Sequence, residues 1–317
     1  CMFQASHFAD VANSWGISFS IWKNGKSNEK TIFKHHLIDK LNDEIEIVGE
    51  KYIYNIDNIE TASEWCKQPI KGLKTYEEVN LKSALTTREK NSSGRNFEKN
   101  LGYFYNHSNN VDKNTQNVAM FSSAFGDGHG HGLSEDNFTR CTALFAARKL
   151  VDKTWINSKD EYMKPNTDNV SWDEYESDSV VYSLFNTSSN QSSLRQIDYK
   201  GKTYDIKNEF FWMSRDEIMS LANENGNDFC YNDANVSNDR YVYTLLRGRT
   251  LSMEAQEVLN KANEIVRKTF KYRQLFYEDN ERYQINNWDC GWYQIKALAK
   301  EYAKYDFEEF KKIYKNL

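Results

Sequence analysis

The 317 residues are 39% hydrophobic, 15% aromatic and 27% charged, a balance that excludes a disordered chain and a collagen-like repeat and leaves room for two compact domains with a buried core. No apolar run approaches the roughly 18 to 20 residues of a membrane helix, so a soluble protein with no membrane partner is expected. The net charge of -5 is unlike that of a free-standing nucleic-acid binder, although charge sums conceal local patches.

Met2 leads directly into strand-like sequence without a charged leader or apolar signal core, so the natural start is expected to lie further upstream. Five scattered cysteines (Cys1, Cys66, Cys141, Cys230, Cys290), odd in number and never spaced C-x-x-C, argue against a disulfide framework or zinc knuckle and favour a reducing, cytoplasmic setting. Met2 to Val11 and Trp15 to Trp22, joined by Ala12-Asn13-Ser14, predict a β-hairpin. The polar run Lys23 to Lys30 comes next, and the composition shift near residue 24 is a first boundary. Thr31 to Leu37 and Glu44 to Asn55 then predict two further strands.

Between 61 and 100 the pattern weakens to short helix and loop, with 91–96 an exposed loop and Lys67 to Lys99 rich in Lys and Arg. Leu101 to Asn106 and Val118 to Ala124 predict strands. From Ser134, read as its N-cap, the three-to-four spacing of Phe138, Cys141, Leu144, Phe145 and Arg148 predicts a helix. Further helices are predicted at Trp172 to Phe185, at Arg215 to Asn223 behind the capping box Ser214-x-x-Glu217, at Arg240 to Arg247, at Met253 to Phe276 behind Ser252, at Trp292 to Lys304 and at Phe307 to Tyr314. A β-rich part followed by an α-rich part is an α+β arrangement rather than alternating βαβ units.

The stretch Gly126-Asp127-Gly128-His129-Gly130-His131-Gly132 stands where a nucleotide-binding loop would, but its glycines fall at every second position and no G-K-[ST] follows. An exposed loop at the edge of a recognition surface fits it better. Asp127, His129 and His131 could share one face as metal ligands, as in a metal-dependent hydrolase, yet no motif supplies the remaining ligands. No G-x-S-x-G or comparable signature marks a nucleophile, and Cys66 and Cys141 read as core residues.

Two loops carry recognition chemistry. Lys82, Arg88, Lys90 and Arg95 suit phosphate contact, and Asn190, Gln191, Ser192 and Arg195 include the amides and guanidinium that read adenine and guanine edges bidentately. A polar, solvated loop explains either stretch as cheaply. The aromatic runs Tyr103-Phe104-Tyr105, Phe210-Phe211-Trp212 and Trp288 to Tyr293 read as core and support before base stacking.

The opening F-A-D-V-A-N-S-W-G-I-S-F-S-I-W (Phe8 to Trp22) resembles the end of the methyltransferase domain in N6-adenine DNA methyltransferases of restriction-modification systems, Eco57I-like enzymes among them. F-S-S-A-F at Phe121, L-F-A-A-R-K-L at Leu144, W-I-N-S-K-D-E-Y-M-K-P-N at Trp155 and S-L-F-N-T-S-S-N-Q-S-S-L-R at Ser183 resemble the sequence downstream of that domain in such proteins. The resemblance implies that residues 1–24 are the closing hairpin of a class I methyltransferase sheet. It makes 25–133 the β-rich part of a target-recognition region and 134–317 a mainly helical recognition and support region. It implies double-stranded DNA as partner and a catalytic half, in the same polypeptide or a partner subunit, that binds S-adenosylmethionine. The N-P-P-Y-type motif that holds a flipped adenine is absent, as is a convincing F-x-G-x-G loop, so no catalytic or cofactor-binding residue is expected in this chain. The contrasting expectation is a helical protein-interaction scaffold over 134–317, which an exposed apolar patch would mark.

Overall fold

A computed structural model describes residues 1–8, 16–19, 21, 24–25, 32–54, 60–66, 102–106, 118–121, 131–133, 136–150, 154–156, 163–189, 196–199, 202–205, 210–226, 242–272 and 292–317. The architecture is mixed α+β. Two compact units interleave along the chain. Unit 1 draws on Cys1–Trp65, His107–Val118 and Ala147–Pro165, and unit 2 on Cys66–Asn106, Ala119–Ala146 and Asn166–Leu317.

Unit 1 is built on four strands, β1 (Met2–Gln4), β2 (Gly16–Ser18), β3 (Ile32–Leu41) and β4 (Glu44–Tyr54), in the order β2-β1-β3-β4. β1 and β2 pair antiparallel with Phe3 opposite Ile17, which is the predicted hairpin in shorter form. A single 3-10 turn at Ala5–His7 ends β1 early. β1 also pairs in parallel with β3, Met2 opposite Leu37, so the hairpin and the residues after position 24 share one sheet. β3 outruns its predicted end at Leu37 and reaches Leu41. Asn42 and Asp43, both at positive φ (50° and 70°), form the two-residue turn whose twist matches antiparallel strands, and both residue types tolerate that conformation. A register shift beyond Leu37 marks a β-bulge.

Met2, Leu37 and Trp155 form the small buried cluster of this unit. Gly16 lets the hairpin close over it: a Cβ there would lie 2.5 Å from the Trp155 carbonyl oxygen and closer still to the Met2 methyl. The Lys51 ammonium donates to the Ile156 carbonyl, and Lys164 N–H donates to the Glu60 carbonyl at 2.9 Å, beside the short helix α1 (Ala62–Trp65).

Unit 2 contains a three-stranded sheet, β5 (Gly102–Asn106), β6 (Val118–Phe121, in unit 2 from Ala119 on) and β7 (His131–Leu133), in the order β6-β5-β7. Next come α2 (Phe138–Leu150), which belongs to unit 2 through Ala146, and α3 (Trp172–Phe185). A hairpin of β8 (Gln196–Tyr199) and β9 (Lys202–Asp205) precedes the helices α4 (Arg215–Glu224), α5 (Tyr243–Leu246), α6 (Met253–Thr269), α7 (Trp292–Glu301) and α8 (Glu308–Asn316).

Of the three N-caps predicted, Ser134, Ser214 and Ser252, the last two form; Ser134 lies outside the described residues, and its helix begins only at Phe138. Ser214 Oγ accepts from Glu217 N–H at 3.2 Å while Glu217 Oε2 accepts from Ser214 N–H at 2.7 Å, and Ser252 Oγ accepts from Ala255 N–H at 3.1 Å. The predicted helix from Met253 continues after Thr269 only as a 3-10 turn at Phe270–Tyr272; residues 273–276 lie outside the described residues. Of the helix predicted at 240–247, Arg240 and Tyr241 lie outside them, and the described helix is one turn, α5.

α6 packs against α3, α7 and α8. α3 buries one face from Ser177 to Phe185 although three serines lie on it, because each hydroxyl bonds back to its own helix: Ser177 to the Asp173 carbonyl at 2.6 Å, Ser179 to Tyr175 at 2.7 Å and Ser183 to Val180 at 2.8 Å. At its C-terminal end Phe185 meets Trp292 at 4.9 Å between ring centroids, Trp212 at 5.0 Å and Phe310 at 5.4 Å, all edge-on. Trp212 Nε1–H donates to Asn263 Oδ1 at 2.7 Å, which satisfies that indole within the cluster of rings. Among the described residues no helix is long and apolar enough to cross a membrane.

Candidate nucleic-acid interface

The side chains expected to touch DNA, Lys82, Arg88, Lys90, Arg95, Asn190, Gln191, Ser192 and Arg195, all lie outside the described residues, as do Asp127 and His129. His131 lies on β7, in register with Phe104 of β5. The structure does describe how the second recognition stretch is launched.

α3 ends at Phe185, and Asn186 takes an extended conformation (φ -72°, ψ 143°) that stops the helix. Asn186 Oδ1 accepts from Ser188 N–H at 2.9 Å, an Asx turn, and Asn186 Nδ2–H donates to the Tyr182 hydroxyl at 2.9 Å. The Asn186 carbonyl accepts from Ser189 N–H at 3.3 Å and from Ser189 Oγ–H at 3.1 Å. Ser188 in turn uses its carbonyl to accept from Met120 N–H on β6 at 3.3 Å. The glycine-rich stretch begins shortly after β6, and Asn190 adjoins Ser189. Residues 122–130 and 190–195 lie outside the described residues; Met120 and Ser188, which precede them in the chain, are hydrogen-bonded to each other in unit 2.

Beneath this turn the Tyr182 ring stacks on Tyr314 of α8, with centroids 5.5 Å apart and planes at 15°, and Tyr314 O–H donates to the Tyr182 backbone carbonyl at 2.9 Å. Burial raises the pKa of both phenols above the usual range, most for Tyr314, so both remain neutral at any working pH. Sequence reading missed Tyr182, Asn186 and Tyr314. Asn186 followed two residues on by Ser188 is a local Asx-turn signal, whereas Tyr314, 132 residues from Tyr182, has none.

Cys66 and Cys141 are fully buried, and burial pushes the Cys141 thiol well above its ordinary range, which suits core residues and not nucleophiles. Cys141 Sγ–H and Asn137 Nδ2–H both donate to the Cys66 carbonyl, at 3.7 and 2.9 Å. Phe104, Phe210, Phe211, Trp212 and Trp292 are buried, so these members of the three aromatic runs build core rather than a stacking surface. Among the described residues no group of three or more His, Cys, Asp or Glu is placed to hold a metal. A small recess lined by Phe211, Ile218, Val266, Thr269 and Ile295 does not fit S-adenosylmethionine. Its apolar lining offers nothing to the ribose diol, ammonium or sulfonium of that cofactor. No protein-family model, curated protein or solved structure matches the chain.

Proposed function

We propose that the chain is the target-recognition part of a site-specific adenine-N6 DNA methyltransferase of restriction-modification type. In this reading it holds double-stranded DNA for a catalytic half, in the same polypeptide or a partner subunit, that binds S-adenosylmethionine and transfers the methyl group. Lys82, Arg88, Lys90 and Arg95 contact phosphates, and Asn190, Gln191, Ser192 and Arg195 read base edges in the major groove. The observation that supports the reading is the bond from Met120 N–H to the Ser188 carbonyl, which ties the chain to β6 two residues before the amide-rich stretch that begins at Asn190. Recognition loops borne on a rigid scaffold are the usual way a fold separates specificity from stability. The antiparallel β1–β2 pairing also supports it, since the resemblance requires a hairpin there.

The scaffold reading, a protein-binding platform on the helical region, would be marked by a contiguous exposed apolar patch. The large apolar side chains most exposed on the described part of that region are Val170, Met253 and Leu150. The proposal is tested by offering the purified chain a random duplex pool at two salt concentrations. Binding that weakens with salt and enriches a short sequence containing adenine is expected. Equal retention of all duplexes, or none at low salt, contradicts it.

A further inference from the structure

We propose that β4 is a docking edge for a second copy of this chain, the two β4 strands pairing antiparallel about a two-fold axis; the inference is independent of the recognition reading. In the order β2-β1-β3-β4, β4 has β3 on one side, and its other side is the edge of the sheet formed by the described residues. An edge strand offers its row of backbone N–H and C=O groups to any extended partner, and proteins blunt such edges with short strands, proline, charges or a bulge. β4 is long, has no proline, and carries exposed Ile45, Ile47, Val48, Tyr52 and Ile53. Its bulge at Val48 and its charges Glu46 and Lys51 decide which partner fits.

The extra residue Val48 switches the alternation along the strand. Ile45 and Ile47, opposite Lys40 and Ile38, therefore share one face with Glu50 and Tyr52, opposite His36 and Lys34, while Glu46 and Lys51 share the other. A second β4 preserves these faces only in alternate registers. With the two-fold axis between Val48 and Gly49, residues 44–53 of the two copies pair. Ile45 then falls opposite Tyr52 of the second copy and Glu46 opposite its Lys51, and the symmetry makes each pair twice. The bulge sits on the axis. An ammonium has three protons, so the bond from Lys51 to the Ile156 carbonyl does not preclude one to Glu46 of the second copy. Pairing along one strand covers less than the roughly 1,200 Å² of a stable interface, so the dimer is weak, with a dissociation constant on the order of tens of micromolar. In dilute solution the edge is open, and its side chains carry association rather than fold stability.

Sedimentation velocity of the full chain between about 1 and 200 µM, which brackets that range, is the test. The wild-type chain is expected to pass from monomer to dimer. Glu46→Lys sets lysine opposite lysine at both symmetric pairs and Lys51→Glu sets glutamate opposite glutamate, so each variant alone should dimerise about tenfold more weakly. An equimolar mixture of the two should restore the dimer, because every such pair then joins Lys to Glu. Should Lys51→Glu lose its fold, read from its melting temperature, Glu46→Lys against Glu46→Gln decides, the reversal weakening the dimer more than the neutral change. A wild-type chain that stays monomeric, a dimer indifferent to both reversals, or a mixture of folded variants as weak as its components overturns the inference.

Discussion

In unit 2 the aromatic side chains close on one another, with Phe185, Trp212, Trp292 and Phe310 all nearly inaccessible and in mutual ring contact. Among the described residues of unit 1, Met2, Leu37 and Trp155 form a small buried cluster, while Ile45 and Ile47 on β4 stand 77% and 61% exposed and Phe8 and Phe19 are also half-open. The contrast separates two ways of holding a fold. Unit 2 draws its stability from side chains that meet across helices distant in sequence. The described part of unit 1 relies more on strand pairing and one close backbone approach, and leaves apolar side chains exposed on β4.

The largest effect should therefore come from Trp292→Ala, which opens a void against Phe185, Trp212 and Phe310 and is expected to cost about 3 to 5 kcal/mol in urea unfolding followed by circular dichroism. An unchanged transition would mean that the ring cluster does not hold unit 2 together. Next is Gly16→Ala, where the methyl meets a backbone oxygen that cannot swing away. A loss of about 1 to 3 kcal/mol is expected, seen as earlier proteolysis of the β1–β2 hairpin in unit 1. The smallest is the pair Ile45→Ser and Ile47→Ser, each expected to shift stability by less than about 0.5 kcal/mol. A loss as large as that of Leu37→Ala would show these side chains to be covered in solution and would erase the contrast.

Local signals carry much of the secondary structure. The box Ser214-x-x-Glu217 and Ser252 before an amphipathic run mark helix starts because a cap depends on residues three apart, and both caps form as expected. The Asn42-Asp43 turn is equally local, but the sequence pattern ends β3 before it, at Leu37, where the register shifts by one residue because β4 carries an extra residue, Val48. The parallel pairing of Met2 with Leu37 is not legible, since nothing in either short segment specifies a neighbour 35 residues away. The same holds for the candidate interface. Amides and guanidinium in 190–195 are visible in the sequence, whereas the support at Asn186 depends on Tyr182, on Tyr314 from the far end of the chain and on a backbone donor at Met120.

The most direct test of the recognition reading is the salt dependence of duplex binding for the wild-type chain and for the double variant Arg88→Ala, Arg95→Ala. If those guanidinium groups neutralise phosphates, the plot of log affinity against log salt concentration should be shallower in the variant by about 0.9 per lost contact, with the preferred sequence unchanged. An identical slope in both proteins would contradict the placing of the DNA backbone along this segment, and a flat slope in both would contradict DNA recognition by this chain.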